Sequence, residues 1–197
     1  MRKQEVIEEF QNYQNIIGEI DSLYRINEGI CDFFDADNSK FFYYGLSLST
    51  INKALVCWQH SLCAVLLCHD RESKNIPKSI ERILSEKIED DENKVIYNKV
   101  LPYLKNILKI IEDENSNIEK LRNFRNNVYS HFNKKIFNEE WQKSYKKENN
   151  FEFPKLKTVC LNIFDDLSRI LEILGAEIFD KSFVLDRDVK KLIERLW

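Results

Sequence analysis

Glycine and proline are scarce, with 4 Gly and 3 Pro in 197 residues. That scarcity excludes collagen-like and low-complexity chains, leaves little room for a glycine-rich phosphate loop, and favours long uninterrupted helices. There is no CxxC pair. The five cysteines (Cys31, Cys57, Cys63, Cys68 and Cys160) fall mostly inside apolar helical patterns, where a thiol behaves as a small hydrophobe, and this usage suits a reducing cytoplasm. Long apolar runs are missing too. The most apolar stretch, Ala54 to Cys68, is broken by Gln59, His60 and Ser61 and falls short of the roughly 20 residues a membrane span needs. The start, Met1-Arg2-Lys3-Gln4-Glu5, leads into a mixed pattern without the apolar core of a signal peptide. A soluble, cytoplasmic protein with no membrane partner is expected.

An excess of one charge is also absent. Thirty Lys and Arg stand against 33 Asp and Glu, a formal net charge of −3, and the isoelectric point is about 5.8. Duplex-binding proteins usually carry a strongly basic face, so any contact with nucleic acid must be local. What is present is 43% hydrophobic and 32% charged residues, the balance of one ordinary globular unit able to bury a core without disulfides or a structural metal.

Apolar residues recur at threes and fours. Val6, Phe10, Tyr13, Ile17, Ile20 and Tyr24 mark one face of a first helix reaching about Phe34. Asp35 to Lys40 reads as a turn. Leu48, Ile51, Leu55, Trp58, Leu62 and Val65 form a near-heptad stripe on a second helix ending near His69, and Trp58 is expected in the core. After a polar connection, Pro77 opens a short helix that buries Ile80, Ile83 and Leu84, since a missing N–H in a first turn costs nothing. A fourth helix, about Glu92 to Glu112, carries Val95, Ile96, Val100, Leu104, Leu108 and Ile111, with a kink expected at Pro102.

Ser116-Asn117-Ile118-Glu119 fits a capping box, which starts a fifth helix at Ile118 running to about Lys134. Asn138 to Asn150 reads as a charged loop containing Trp141. Leu156, Val159, Cys160, Ile163, Leu167, Ile170, Leu171 and Leu174 then make the clearest amphipathic stripe, stopped by Gly175. The expected fold is all-α, a bundle of long antiparallel helices with short accessory helices over residues 1–175. Residues 176–197 form a C-terminal extension with a short helix, Arg187 to Trp197, capped by Asp186 and packed on the same domain.

The fifth helix carries two polar residues on its apolar side. With Phe124 at zero and about 100° per residue, Val128 falls at about 40°, Leu121 at about 60°, Phe132 at about 80° and Ile118 at about 120°. On the same wheel His131 projects at about −20° and Arg125 at about 100°. Buried charge is costly, so Arg125 needs an acidic partner, an anion or a wet groove. Taken alone, Arg125 reads equally well as half of a buried ion pair, and a lone His on an apolar face is more often a hydrogen-bonded core residue than a catalyst.

The segment Leu121-Arg122-Asn123-Phe124-Arg125-Asn126-Asn127-Val128-Tyr129-Ser130-His131 resembles the signature of the HEPN superfamily, an Arg and a His separated by four to six residues, often with a polar residue directly after the Arg. Here five residues intervene and Asn126 takes the polar place. The second helix, its Cys68-His69-Asp70 ending and the Ile76-Pro77-Lys78-Ser79-Ile80 start of a short helix look like the abortive-infection, AbiU-type branch. The resemblance covers about residues 1 to 175. Branch members often have an acidic residue after the Arg and a small one before the His, where this chain has Asn126 and Ser130.

The resemblance implies a metal-independent endoribonuclease without cofactors, acting in phage defence or as a toxin with a cognate antitoxin. It implies a homodimer through the helix carrying Arg125 and His131, with RNA cleaved by 2′-OH attack in the shared cleft. In that reading His131 moves protons, Arg125 stabilises phosphorane charge, and Asn126 orients the Arg or contacts the phosphate or a base. Arg122, Lys134 and Lys135 would track the RNA backbone, although each also reads as an ordinary solvated charge. The rival expectation is a catalytically silent HEPN-like module that binds RNA, a nucleotide or a protein partner. A zinc site from Cys57, His60, Cys63, Cys68 and His69 is not expected, because an interval of six puts Cys57 and Cys63 on different helix faces. Asp90-Asp91 and Asp165-Asp166 read as exposed charges.

Overall fold

The computed structural model describes residues 3–36, 38–69, 74–87, 90–126 and 150–178. These residues form six helices and no strand: α1 (Lys3–Ala36), α2 (Asn38–Leu67), α3 (Ile76–Ser85), α4 (Asp91–Asp113), α5 (Asn115–Phe124) and α6 (Phe153–Ile173). The protein is an all-α bundle. The loop and Trp141 expected over 138–150, apart from Asn150 itself, and the C-terminal helix with Asp186 and Trp197 lie outside the described residues.

The core is built around α1 and α6. Val6, Phe10, Tyr13, Ile17 and Ile20 of α1 are buried, as the spacing predicts, and α1 packs against both α2 and α6. On α6 the whole expected stripe from Leu156 to Leu174 is buried, joined by Phe153 and Phe164, and α4 packs along it through Val100, Leu104, Ile107 and Ile111. Each such side chain contributes about 1.5–3 kcal/mol of transfer free energy. Two buried amides tie the helices together: Gln14 Nε2 donates to Ser168 Oγ at 2.7 Å and Gln59 Nε2 to the Ile20 carbonyl oxygen at 3.0 Å.

Helix ends follow local chemistry. Asn75 caps α3, its Oδ1 accepting from the Lys78 N–H at 3.1 Å with Pro in the first turn, and Asp90 caps α4 by accepting from the Asn93 N–H at 3.2 Å. At the end of α6 the Ala176 N–H bonds the Leu171 carbonyl and the Gly175 N–H the Glu172 carbonyl, both at 2.9 Å. Gly175 has φ +71°, the left-handed conformation that this closing motif demands. A buried hydroxyl cluster fixes α3 on α1. Tyr13 Oη lies 2.6 Å from Ser79 Oγ, Ser79 Oγ donates to Glu9 Oε1 at 2.6 Å, and Arg82 pairs with the same carboxylate. Burial pushes the Tyr13 phenol up to about 12.

Four expectations need correction. Asp35 and Ala36 belong to α1 and Asn38 to Lys40 to α2, so these residues of the expected turn are helical. The capping box is not used: α5 starts at Asn115, one residue after α4 ends its turn at Glu114, so Ser116 already sits inside the first turn. Glu119 instead pairs with Arg122 at 3.3 Å. Part of the near-heptad stripe of α2 faces outward, with Trp58 58%, Ile51 50% and Val65 37% exposed, while Leu55 and Leu62 are half-buried and Leu62 packs on the core. Helix α2 is apolar on two sides, and the bundle takes the other one, where Gln59, Cys63, Ala64, Leu66 and Leu67 are buried. Val95 is exposed because it lies about 140° around α4 from Val100, whereas Ile107 falls within about 20° of Val100 and is buried.

Candidate functional site

Helix α5 is short, and its position is set from three directions. Ile118 and Leu121 are buried against the core. The Cys68 thiol at the end of α2 lies 3.8 Å from the Ile118 carbonyl oxygen. Asn117 reaches the chain leading into α6, where its Nδ2 donates to the Glu152 carbonyl oxygen at 3.1 Å and its Oδ1 accepts from the Glu152 N–H at 2.8 Å. These contacts aim the C-terminal end of α5, and with it Arg125.

At Arg125 and Asn126 the backbone widens into a π-helical turn, a departure often found where side chains do chemistry. The Arg125 guanidinium donates from Nε at 3.0 Å and from Nη2 at 2.8 Å to the single Oδ1 of Asn126. Both side chains are half-buried. Two converging bonds from one edge of the planar group fix its rotation, so Arg125 and Asn126 act as one unit. Arg122, one turn earlier, is occupied by Glu119 and partly exposed. His131, Lys134 and Lys135 lie outside the described residues.

An aromatic cluster stands beside this unit. The Phe124 ring is 5.4 Å from Phe151 and 6.5 Å from the His60 imidazole, which also packs edge-on to Phe151 at 4.9 Å and tilted on Phe153 at 4.7 Å. Phe153 stacks in turn on Tyr24 at 6.3 Å, and the Lys157 ammonium sits 3.9 Å over the Tyr24 ring while pairing with Asp21 at 3.1 Å. Burial among these rings pushes the His60 imidazole down to about 4, so it is neutral at pH 7. Sequence reasoning considered His60 only as a metal ligand and missed this cluster. The readable signal was the flanking of Arg125 by Phe124 together with the Phe151-Glu152-Phe153 start of α6.

Among the described residues no group of three or more His, Cys, Asp or Glu is placed to hold a metal ion. Cys63 and Cys160 face each other across α2 and α6 with their sulfurs 3.9 Å apart. Their mutual contact and burial hold the Cys63 thiol well above its ordinary range, and so protonated. Asp166 accepts from Asn106 Nδ2 at 2.7 Å and Asp90 serves as the α4 cap. Among the described residues no helix is long and apolar enough to cross a membrane.

Compared with known proteins, the chain matches no family model, no curated protein and no solved structure.

Proposed function

We propose that the protein is an HEPN-type, metal-independent endoribonuclease of a phage-defence (abortive infection) or toxin–antitoxin system, working in the cytoplasm as a homodimer whose motif helices share one cleft. The observation that carries this reading is the Arg125–Asn126 unit, a guanidinium held by two bonds at 2.8 and 3.0 Å at the end of a core-anchored helix, with His131 six positions further on in the sequence.

The chemistry follows from these groups. His131 takes the proton of a ribose 2′-OH, the freed oxygen attacks the adjacent phosphorus, and the 5′-oxygen of the next nucleotide leaves and gains a proton. The products are a 2′,3′-cyclic phosphate and a 5′-hydroxyl. Proton transfer by a positioned imidazole supplies about 10² to 10⁴ in rate. Arg125 stabilises the charge that builds on the phosphorane oxygens, and a donor whose orientation is already fixed loses little entropy in doing so. Asn126 positions Arg125. Arg122, Lys134 and Lys135 are proposed to follow the RNA backbone outside the cleft, and a cognate antitoxin is the proposed protein partner.

The test uses purified protein and its His131→Ala variant on mixed RNA in excess EDTA, with the product ends mapped. Cleavage by the wild type alone, leaving 2′,3′-cyclic phosphates, is the expected result. Equal cleavage by both proteins would remove His131 from the site, and a folded wild type that leaves the RNA intact would favour the silent binding module.

A further inference from the structure

Two of the five cysteines meet inside the core. Cys63 on α2 and Cys160 on α6 are 97 residues apart in the chain, yet their sulfurs stand 3.9 Å from each other where the two helices pack. Both residues are fully buried. Around them the seam is apolar, with Ala64 and Leu67 on α2 and Val159 and Phe164 on α6, so the polar contact each thiol makes is with the other. No described group of three or more His, Cys, Asp or Glu could hold a metal, and the chemistry open to the pair is that of two thiols.

From this contact we infer that Cys63 and Cys160 form a reversible disulfide when the protein meets a hydroperoxide, tying α2 to α6. A disulfide sets its sulfurs about 2.05 Å apart, so the gap closes by about 1.9 Å, under about 1 Å for each sulfur. On so short a side chain that is a turn of about 30° about each Cα–Cβ bond, a strain of the size side chains tolerate. The other thiols are placed differently. Along α2, Cys57 and Cys68 lie about 9 Å and about 7.5 Å from Cys63 and about 120° and about 140° around the axis, beyond the roughly 7 Å between Cα atoms that a disulfide spans. The Cys68 thiol is turned to the Ile118 carbonyl oxygen, and Cys31 is exposed on α1.

The reaction balances with hydrogen peroxide as the oxidant. A thiolate sulfur attacks the O–O bond, an S–O bond forms, and the departing hydroxide takes a proton and leaves as water. The facing thiol then attacks that sulfur. The S–S bond forms, the S–O bond breaks, and the hydroxyl leaves with the second thiol's proton as another water. Two thiols give up two electrons and two protons, and the peroxide takes them.

Burial sets the pace. In the closed bundle the partner sulfur and the apolar surroundings hold the Cys63 thiol well above its ordinary range, whereas the thiolate is the reacting form. Oxidation therefore runs through openings that part α2 from α6, and reclosure returns the oxidised sulfur to the facing thiol. The resulting tie closes a loop across 97 residues, long enough to restrict the unfolded chain strongly. Neither helix carries Arg122, Arg125 or Asn126, so the inference does not rest on RNA cleavage.

The test treats the full chain with hydrogen peroxide at a dose that fully oxidises the exposed Cys31, caps remaining thiols with N-ethylmaleimide in urea, and maps the unreduced digest by mass. The expected product is a peptide pair joined through Cys63 and Cys160, two hydrogens lighter than its parts and split by dithiothreitol. The melting temperature should rise by about 5–15 °C on oxidation and fall back on reduction, while that of Cys160→Ala gains nothing. Because the peptide map uses the wild type alone, it decides even if Cys160→Ala does not fold. A wild type that keeps Cys63 and Cys160 both capped at that dose overturns the inference, and so does a bond from either of them to a different cysteine.

Discussion

Asn117 and Glu152 hold each other in both directions, the amide of one side chain donating to and accepting from the backbone of the other residue at 3.1 and 2.8 Å. This clasp joins α5 to the chain entering α6 across 35 residues of sequence, and it stands between the core and Arg125. Asn117→Ala removes both bonds from an exposed position, so a loss of about 1–2 kcal/mol in urea unfolding is expected. Asn117→Asp keeps the acceptor and loses the donor, which places it between the wild type and the alanine variant.

His60 makes the stability of the bundle sensitive to acid. Its folded-state pKa is depressed from 6.5 to about 4 by burial, so the folded protein binds fewer protons than the unfolded chain at pH values between the two. Stability from this group is present above about 6.5 and is lost as the pH falls through about 4. The full loss is on the order of 3 kcal/mol. Urea unfolding at pH 7 and at pH 5 should show a clear drop for the wild type and a smaller one for His60→Phe, which keeps the aromatic packing and does not titrate. Equal drops in the two proteins would assign the acid sensitivity to other groups.

Arg125 and Asn126 should be separable by their substitutions. Arg125→Ala is expected to abolish RNA cleavage while changing the melting temperature little, because the side chain is only half-buried. Losing one positioned donor to developing charge typically costs about 10² to 10³ in rate. Asn126→Asp keeps an oxygen acceptor for the guanidinium and should retain most of the activity. Asn126→Leu removes the acceptor and should lower the turnover number more than the Michaelis constant. A variant series in which all three cleave RNA equally would take this unit out of the reaction.

Gly175 offers a test of backbone strain without packing. A Cβ at this position would meet nothing within 4 Å, so Gly175→Ala creates no clash. The cost is the left-handed conformation itself, φ +71°, worth about 1–2 kcal/mol for a residue with a side chain. Thermal unfolding should show that loss with an unchanged helical signal.

How much of this was legible in the sequence depends on how many apolar faces a helix has. Helix α6 has one, and every residue from Leu156 to Leu174 assigned to it is buried. Helix α2 has two, and periodicity does not tell which one the bundle takes, so the spacing points Trp58 inward while the fold exposes it. The capping box failed for a related reason. Ser116 and Glu119 have the right spacing, but α4 ends so close by that α5 begins with Asn115 and the box lies within it. At the candidate site, adjacency made the Arg125–Asn126 unit readable. The His60 cluster was not, since Phe151 and Phe153 lie about 90 residues away from it in the chain and only packing brings them together.

The placement of α6 against both α1 and α4 has a consequence for synthesis. Phe10, Ile17 and Leu104 have no finished core to enter until Leu167 and Leu171 exist, because the same interior is built from all of them. At roughly 5–20 residues per second, a ribosome that has completed α2 takes about 5–20 s more to complete α6. During that interval the apolar faces of the finished helices lack their partner in α6 and are open to chaperones. Under the proposed reading, a ribonuclease toxic to its own cell would thus be withheld until α6, the last core helix among the described residues, has emerged.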